Sequence, residues 1–430
     1  MTGINSAAMA LLKKKAAAGF RFEKLELVLN AESLSVQSII FNPLMVVSAS
    51  FSRITSLRGS VLFLFCFVSF VLISMRPAPV KAKKVVIGYV GGYRGLVNAA
   101  AIDAAKLSII NYAFVDVKGN RAWLTNQLTD TTNFRLLNEL KKVNPNLQIV
   151  ISIGGWAWSE NFSDAVLTDT GRQAFAKSAV EIISNYQLDG VDIDWEYPAI
   201  PGEEGNIFRP EDKQNFTLMF RDLRIQLDSL SKINNRKYLL TTAVGGFPRF
   251  AENTEMNNAH QYLDYISLMT YDFSGKETVG HHTNLFPSAD FEKENSVDKA
   301  VKVFMNAGVP AEKLVVGLAF YGRSWILSGS EKPVMQNKIV SSTRGGGYTY
   351  LKDSLVDQRG FKAYWDKKAK APYLFNDSTR QFISYDNERS VKNKIKYVKK
   401  HKLGGVMFWE YSSDLKKYLL NTIDENLKHK

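Results

Sequence analysis

The sequence predicts an α/β fold, a (β/α)8 TIM barrel with a small α+β insertion after strand seven. Eight short apolar segments recur along the chain, and amphipathic segments with helical periodicity lie between them. Alternating strands and helices are typical of a parallel sheet, and eight such units can close a barrel. The apolar segments are almost continuously hydrophobic, as parallel strands are when both of their faces are covered.

The predicted strands are these eight apolar segments. They are KVVIGYV (84–90), LSIINYAFVDV (107–117), LQIVISIGG (147–155), LDGVDIDWE (188–196), YLLTTAVGG (238–246), YISLMTYD (265–272), LVVGLAFYG (314–322) and GGVMFWE (404–410). The clearest helical patterns lie at 170–187 and 211–232. In the first of these, Phe175, Ala179 and Ile183 recur at the spacing of one helix face.

The regular alternation of strands and helices stops between about Ser324 and Asp386, which predicts the insertion (324–386). Short strand-like segments surround one helical segment there, and a helix at 387–401 then leads into strand eight. Within the insertion, RGGGY (344–348) lacks the Lys-Ser/Thr pair of a phosphate-binding loop. We interpret it as a flexible turn.

The first 82 residues (1–82) are predicted to be a targeting region rather than part of the fold, and an over-long translation start is one explanation for its length. VLFLFCFVSFVLISM (61–75) is uncharged, follows two arginines and precedes a small-residue sequence. That order is typical of a signal peptide, here at about 45–82. We expect a secreted, periplasmic or cell-envelope protein with a catalytic domain at 83–430. The alternative is an uncleaved N-terminal anchor, which would be the only membrane contact.

Composition and charge exclude several classes of function. The 430 residues are 45% hydrophobic with a net charge of +13, and no dense basic patch is interleaved with aromatic residues. We therefore expect no nucleic-acid binding. The single cysteine, Cys66, lies in the apolar N-terminal segment, so the mature chain would contain no disulfide. We expect a monomer.

The segment LDGVDIDWEYP (188–198) places several acids in an otherwise apolar strand. Because alternate strand residues face the same way, Asp192, Asp194 and Glu196 line one face at the C-terminal end of strand four, where such barrels have their active sites. Neighbouring acids lie about 6.6 Å apart along the strand. They repel by about 2.5 kcal/mol at an effective dielectric constant of about 20. We expect one of them to hold a proton and to serve as a proton donor.

The alternative explanation for these acids is a metal cage or a network of salt bridges. No histidine lies nearby in the sequence, and no calcium-loop spacing is present. We therefore expect no metal and no cofactor. Asp189 faces the opposite way from the other acids, which favours a structural role in the turn.

The segment DGVDIDWE (189–196) resembles the Asp-x-x-Asp-x-Asp-x-Glu signature of family 18 glycoside hydrolases, the chitinase family. SIGG (152–155), MTYD (269–272) and GVMFWE (405–410) resemble the motifs of that family on strands three, six and eight. The insertion is similar to that of chitinases with a deep groove. The resemblance covers about 84–430.

The resemblance implies a role for each catalytic candidate. Glu196 would be the general acid that protonates the glycosidic oxygen and later activates water. Asp194 would orient the acetamido group of the substrate, and Asp192 would share a proton with Asp194. Tyr271 would donate its hydroxyl to the acetamido oxygen.

The resemblance also implies a set of substrate-binding residues. Tyr89 and Ser152 would lie near Asp192, Trp409 would be the apolar floor under the distorted sugar, and Tyr197 is a candidate for stacking on a sugar. The full set is Tyr89, Ser152, Gly155, Tyr197, Met269, Asp272 and Trp409. A histidine pair, His281 and His282, lies in the loop after strand six and is interpreted as solvated.

The function that the resemblance implies is cleavage of β-1,4-linked N-acetylglucosamine polymers, with chitin or its oligosaccharides as the partner. The mechanism would be retaining and substrate-assisted, because the acetamido oxygen of the sugar replaces an enzyme nucleophile. One alternative is an endo-N-acetylglucosaminidase acting on glycans or cell-wall polymers. The other is a non-catalytic chitin-binding lectin, against which the complete set of signature acids argues.

Overall fold

Eight parallel strands close into a barrel in the computed structural model, which describes residues 84–274, 277–289, 294–331 and 334–428. In chain order the strands are β1 (Val85–Gly91), β2 (Ile109–Lys118), β3 (Arg121–Trp123), β4 (Gln148–Gly154), β5 (Gly190–Asp194), β6 (Leu239–Gly245), β7 (Tyr265–Met269), β8 (Leu314–Ala319), β9 (Tyr321–Leu327), β10 (Ile339–Gly347), β11 (Lys362–Asp366), β12 (Ala371–Asn376), β13 (Gln381–Ser384) and β14 (Gly405–Trp409). The barrel follows the order β1, β2, β4, β5, β6, β7, β8, β14, and β14 pairs back with β1. The predicted (β/α)8 fold is confirmed.

Helices connect most of these strands and cover the outside of the barrel. They are α1 (Gln127–Glu139), α2 (Phe162–Ala165), α3 (Asp169–Asn185), α4 (Asp212–Asn234), α5 (Pro248–Glu252), α6 (Met256–Ala259), α7 (Val297–Asn306), α8 (Tyr348–Ser354), α9 (Glu388–Lys400) and α10 (Tyr418–Lys428). Side-chain caps begin three of them, at Thr168, Ser296 and Asn387, each accepting a backbone N–H of the first turn. Within the described ranges, no helix combines the length and hydropathy that crossing a bilayer requires.

The core has an inner and an outer layer because alternate strand residues point into and out of the barrel. Ile87, Val150 and Met407 pack in the barrel interior. Residues between them in the strands, such as Ile151, belong to the larger cluster formed with helix side chains, such as Phe216 of α4. The continuous hydrophobicity of the predicted strands is explained by this burial on both faces.

Strands β9 to β13 form a second, antiparallel sheet in the order β10, β9, β13, β12, β11. The predicted strand 314–322 is divided, because β8 ends at Ala319 and β9 begins at Tyr321. The interpretation of 344–348 as a flexible turn is wrong: Arg344 to Gly347 belong to β10, with an irregularity in its pairing to β9. The short strand β3, which forms a hairpin with β2, was not predicted. The segment 1–82, with its predicted signal or anchor, lies outside the described residues.

A buried ion pair joins the end of the second sheet to the barrel. Nζ of Lys394 in α9 lies 2.6 Å from Oδ2 of Asp386, and neither side chain has exposed surface. The Asp386 carboxylate also accepts hydrogen bonds from the hydroxyl groups of Thr283 and Ser390 and from the backbone N–H of Ala319. Asp386 therefore ties the loop after β7, the end of β8 and α9 together.

We expect Lys394→Met to lower the free energy of unfolding by about 3–5 kcal/mol, because it leaves the Asp386 charge buried without a cation. Chemical denaturation monitored by circular dichroism measures this loss. Lys392→Met, on the exposed side of the same helix, is the matched control and should change stability by less than about 0.5 kcal/mol. Equal losses in the two variants would contradict the assigned role of Lys394.

Candidate active site

The acids of the fourth barrel strand face one side at its carboxyl end. Asp192 and Asp194 lie within β5, and Glu196 follows directly after it. The intervening Trp195 points outward and is 1% exposed, with its ring stacked on Phe162 at 5.2 Å. Anchoring Trp195 in the outer core therefore directs Asp194 and Glu196 into the mouth of the barrel.

Asp192 is a fully buried carboxyl group that accepts three hydrogen bonds from hydroxyl groups. Tyr89 and Ser152 donate to Oδ2 at 2.9 and 2.8 Å, and Thr241 donates to Oδ1 at 2.6 Å. Burial raises the pKa of Asp192, and these hydroxyl groups oppose that rise by stabilising the anion. Tyr89 and Ser152 were predicted near Asp192, whereas Thr241 was not.

The surroundings of Asp194 and Glu196 favour the protonated form of each carboxyl group. Burial, together with the charges of Glu196 and Asp192, raises the pKa of Asp194 far above its usual range. Oδ1 of Asp194 is buried and has no hydrogen-bond partner among the residues that the structure describes. Burial raises the pKa of Glu196 to about 7, with Asp272 and Glu203 adding to the rise and a hydrogen bond from Tyr197 opposing it. The raised pKa values of Asp194 and Glu196 agree in direction with the expectation that one acid of this strand holds a proton.

Ser159 is a buried residue that the sequence did not single out. The backbone N–H of Glu196 donates to its Oγ at 2.9 Å. The hydroxyl of Ser159 lies 2.8 Å from the carbonyl oxygen of Gly155 and 3.2 Å from that of Asp194. Ser159 therefore fixes the backbone on which the Glu196 side chain is mounted. A single serine in a loop gives no sequence pattern that would reveal this role.

The sixth barrel strand brings Tyr271 and Asp272 to the same mouth. Burial, and then the charges of Asp194 and Glu196, raise the pKa of the Tyr271 hydroxyl well above its usual value, so it remains a donor. Arg323 of β9 binds both carboxylate oxygens of Asp272, at 2.7 and 2.6 Å. These bonds keep the pKa of Asp272 below its usual range despite burial. Met269 is buried at the top of the barrel interior.

Aromatic rings form one side of the mouth. Trp409, at the end of β14, lies nearly parallel to Phe114 at 5.5 Å and to Tyr93 at 6.5 Å between ring centroids. Tyr93 and Phe114 are themselves 6.3 Å apart and nearly parallel. Three rings tilted alike and close to one another make a broad apolar surface, of the kind that packs against a sugar face.

Gly155 supports this aromatic surface. Its φ is +85°, a conformation that favours glycine, and its N–H donates to the carbonyl oxygen of Asp194 at 2.7 Å. A Cβ at this position would lie 2.6 Å from the ring of Phe114. Gly155 therefore lets the chain pass beneath Phe114, which stacks on Trp409.

Tyr197 is partly buried, and its ring packs against Trp156, Phe247 and Phe250. It therefore contacts both the apolar core and the mouth of the barrel. Asp189 lies apart from the acid cluster. Its carboxylate accepts the N–H of Ile149 and pairs with Lys141 and Arg236, in keeping with the structural role that was expected.

The interpretation of His281 and His282 as a solvated pair is wrong, since both side chains have no exposed surface. His281 lies against the second sheet, with Nε2 3.4 Å from Asp366. Nδ1 of His282 lies 3.4 Å from Oδ1 of Asp272. Burial by the second sheet, which the local polar sequence does not reveal, explains the error. Within the described ranges, His, Cys, Asp and Glu side chains form no group of three or more that could hold a metal ion.

A parallel barrel with carboxyl groups of raised pKa at the carboxyl end of one strand, beside an aromatic surface, is the arrangement expected of a glycoside hydrolase. The model of glycosyl hydrolases family 18 matches residues 85–414, and the chain belongs to this family. The family and the glycosidase class predicted from the sequence motifs are therefore confirmed.

Several relatives and solved structures are similar to this chain. Chitinase A1 of Niallia circulans is 40% identical over 69% of this chain, which spans only 44% of that protein's length. Endochitinase 1 of Metarhizium robertsii is 30% identical, and the match covers 78% of this chain and 85% of the length of that protein. The structure of a family 18 N-acetylglucosaminidase from Paenibacillus barengoltzii is 42% identical with a TM-score of 0.75, covering 80% of this chain and 100% of that one.

We expect Gly155→Ala to lower the free energy of unfolding and to displace Phe114, because the added methyl group overlaps the ring. Gly95→Ala is the matched control, since Gly95 has a similar backbone (φ 106°, ψ −143°) with nothing within 4 Å of the added Cβ. Denaturation should show an additional loss of about 1–3 kcal/mol for Gly155→Ala, the usual cost of overpacking. Equal losses would show that backbone strain alone makes alanine unfavourable at position 155.

Proposed function

We propose that this chain hydrolyses β-1,4-linked N-acetylglucosamine in chitin by a retaining, substrate-assisted mechanism. One observation carries the proposal: Asp192, Asp194 and Glu196 face the mouth of the barrel from one strand end, where burial raises the pKa of all three carboxyl groups and that of Glu196 to about 7. A general acid works best when its pKa lies near the working pH. The pKa of Glu196, about 7, meets this condition.

Glu196 acts first as an acid and then as a base. Its carboxyl proton passes to the glycosidic oxygen as the bond from that oxygen to the anomeric carbon breaks. The acetamido oxygen of the same sugar forms the new bond to this carbon, giving an oxazolinium ion. The Glu196 carboxylate then removes a proton from a water molecule that attacks the same carbon, which restores the acetamido group. Two displacements at one carbon retain its configuration.

Asp194 and Asp192 respond to the charge that develops on the substrate. As the acetamido nitrogen becomes positive, a negative charge beside it lowers the energy of the transition state. A proton held by Asp194 can move to Asp192, leaving Asp194 as the anion beside the nitrogen. Tyr271 keeps its proton and donates to the acetamido oxygen, which holds the group near the anomeric carbon.

A large recess beside Trp409 supports a polymeric substrate. It has a volume of about 820 Å³ and lies between residues 342–347 of β10 and residues 409–415. Tyr350 lines its outer part and is 48% exposed. This volume is in the range of sites that bind small molecules, and an exposed aromatic ring at a distance from Trp409 would contact further sugars of a chain.

The second candidate function is that of an N-acetylglucosaminidase, which the similarity to the Paenibacillus barengoltzii enzyme favours. The candidates differ in how many sugars lie on the recess side of the cut. An enzyme that fills the recess with several sugars releases oligomers first, whereas one that accepts a terminal sugar releases monomers first. Analysis of the first products released from chitin oligomers distinguishes the two candidates. It also tests for a lectin, which would bind the oligomers without releasing product.

We also propose that the protein is exported, that it is a monomer and that it makes no other contact with a membrane. The uncharged stretch at 61–75, preceded by arginines and followed by small residues, supports a cleaved signal peptide. Mass spectrometry of the protein recovered from the culture medium and from membranes would locate its N-terminus. A mature chain that begins near residue 83 would support export, and an intact chain in membranes would support an anchor.

We expect Glu196→Gln to lower kcat on chitin oligomers by about 10²–10⁴-fold, the usual cost of losing a general acid. In the unsubstituted protein, kcat/KM should fall as pH rises through about 7, because Glu196 of the free enzyme must carry its proton to act as the acid. Thermal unfolding should show that the variant folds. More than half of the original activity in this variant would contradict the assignment.

We expect the first product to have the β configuration at its new reducing end, and fully deacetylated oligomers to resist cleavage. Both follow from a reaction in which the acetamido oxygen is the nucleophile. Time-resolved proton NMR of N-acetylated and deacetylated chitin oligomers measures the anomer, the rate and the size of the first products together. An initial α anomer, or efficient cleavage of deacetylated chains, would contradict the mechanism even if the enzyme cuts chitin.

A further inference from the structure

His282 lies behind Asp272, on the side away from solvent. Its Nδ1 is 3.4 Å from Oδ1 of Asp272 and also accepts the backbone N–H of Asp272 at 3.4 Å. Asp272 has φ +59°, a left-handed backbone conformation that costs a non-glycine residue energy. The imidazole therefore contacts both the backbone and the carboxylate of a residue held in this less favourable conformation.

His282 is itself fixed from several directions. Its backbone N–H donates to Oγ of Ser384 in β13 at 3.0 Å, and its ring lies 5.3 Å from the ring of Tyr321 in β9. Tyr321 in turn lies 6.1 Å from Tyr271. The loop after β7 is thus held against the second sheet, and His282 is a buried side chain of this loop that lies between the sheet and Asp272, beside the direct contact from Arg323.

We propose that His282 is a positioning residue for glycosidic cleavage, which holds the Asp272 carboxylate on Arg323 and within electrostatic range of Glu196. The proposal rests on the proposed function, in which Glu196 is the general acid. His282 does not contact the catalytic carboxyl groups directly, and it acts through Asp272.

The two contacts at Nδ1 require different tautomers. Nδ1 accepts the N–H of Asp272 when the ring proton is on Nε2, and it donates to the carboxylate when the proton is on Nδ1. Nε2 is buried and has no hydrogen-bond partner within the described part of the chain, so burial opposes a doubly protonated ring. Burial lowers the pKa of His282, Asp272 and Asp386 oppose that effect, and Arg323 adds to it. His282 therefore acts as a neutral ring.

His282 affects the pKa of Glu196 through the charge of Asp272. The groups around His282 are Asp272 in its own loop, Tyr321 and Arg323 in β9, and Asp386 with its partner Lys394. The groups acting on Glu196 are Tyr197, Asp272 and Glu203, with Asp194 coupled to it. Asp272 is the member shared by both sets, and its negative charge raises the pKa of Glu196. Releasing Asp272 from its position should lower that pKa and shift the loss of activity to lower pH.

The test compares two neutral polar side chains at position 282. Asparagine places its amide near the position of Nδ1, whereas glutamine places it near Nε2, away from Asp272. His282→Asn should keep the pH profile of the unsubstituted enzyme. His282→Gln and His282→Leu should lower kcat on chitin oligomers by about ten- to hundredfold, as expected for a misplaced catalytic group. In both of these variants, the alkaline limb of the pH–activity profile, where activity falls as pH rises, should move to lower pH by roughly half a unit.

His281→Asn is the matched control, because His281 is equally buried but faces Asp366 rather than Asp272. It should lower the melting temperature without moving the alkaline limb. If His282→Leu does not fold, the Asn and Gln variants carry the test by themselves. An unchanged limb in His282→Gln, or an equal shift in His281→Asn, would overturn the proposal. Activity retained in Glu196→Gln would instead overturn the proposed function and this inference together.

Discussion

The active site depends on one carboxylate that the barrel buries without a cation. Asp192 forms no salt bridge among the described residues, and hydroxyl groups of Tyr89, Ser152 and Thr241 supply the stabilisation instead. Because hydroxyl donors stabilise a carboxylate without cancelling its charge, Asp192 still repels a second charge on Asp194. Burial, the charge of Glu196 and this repulsion together favour a proton on Asp194, and the proposed mechanism uses that proton. A lysine in place of one hydroxyl group would remove the coupling.

The second sheet contributes to the chemistry as well as to the shape of the groove. Arg323 of β9 binds Asp272 through both carboxylate oxygens, and the charge of Asp272 acts on Glu196. The pKa of Glu196, at the end of the fourth barrel strand, therefore depends partly on Arg323 through its pairing with Asp272. Arg323 lies more than a hundred positions later in the sequence. The same strand, β9, lines the recess proposed to bind sugar and provides Arg323, which pairs with Asp272.

The sequence was most informative where function requires several residues at fixed spacing. The eight apolar segments and the alternating acids of 188–198 predicted the strands and the facing of Asp192, Asp194 and Glu196. Thr241 and Ser159 were missed because each contributes one hydroxyl group, and no spacing distinguishes it from other serines and threonines. His281 and His282 were misread because their burial depends on a sheet formed by residues far away in sequence.

The chain leaves the barrel and returns to it at nearly the same point. Only Phe320 separates β8 from β9, and the carboxylate of Asp386 accepts the N–H of Ala319, the last residue of β8, at 3.2 Å. Segments whose ends meet in this way can be gained or lost as a unit, since a short connection can replace them without moving their neighbours. The second sheet is therefore joined to the barrel at one place, where Asp386 contacts Lys394 of α9 and the end of β8.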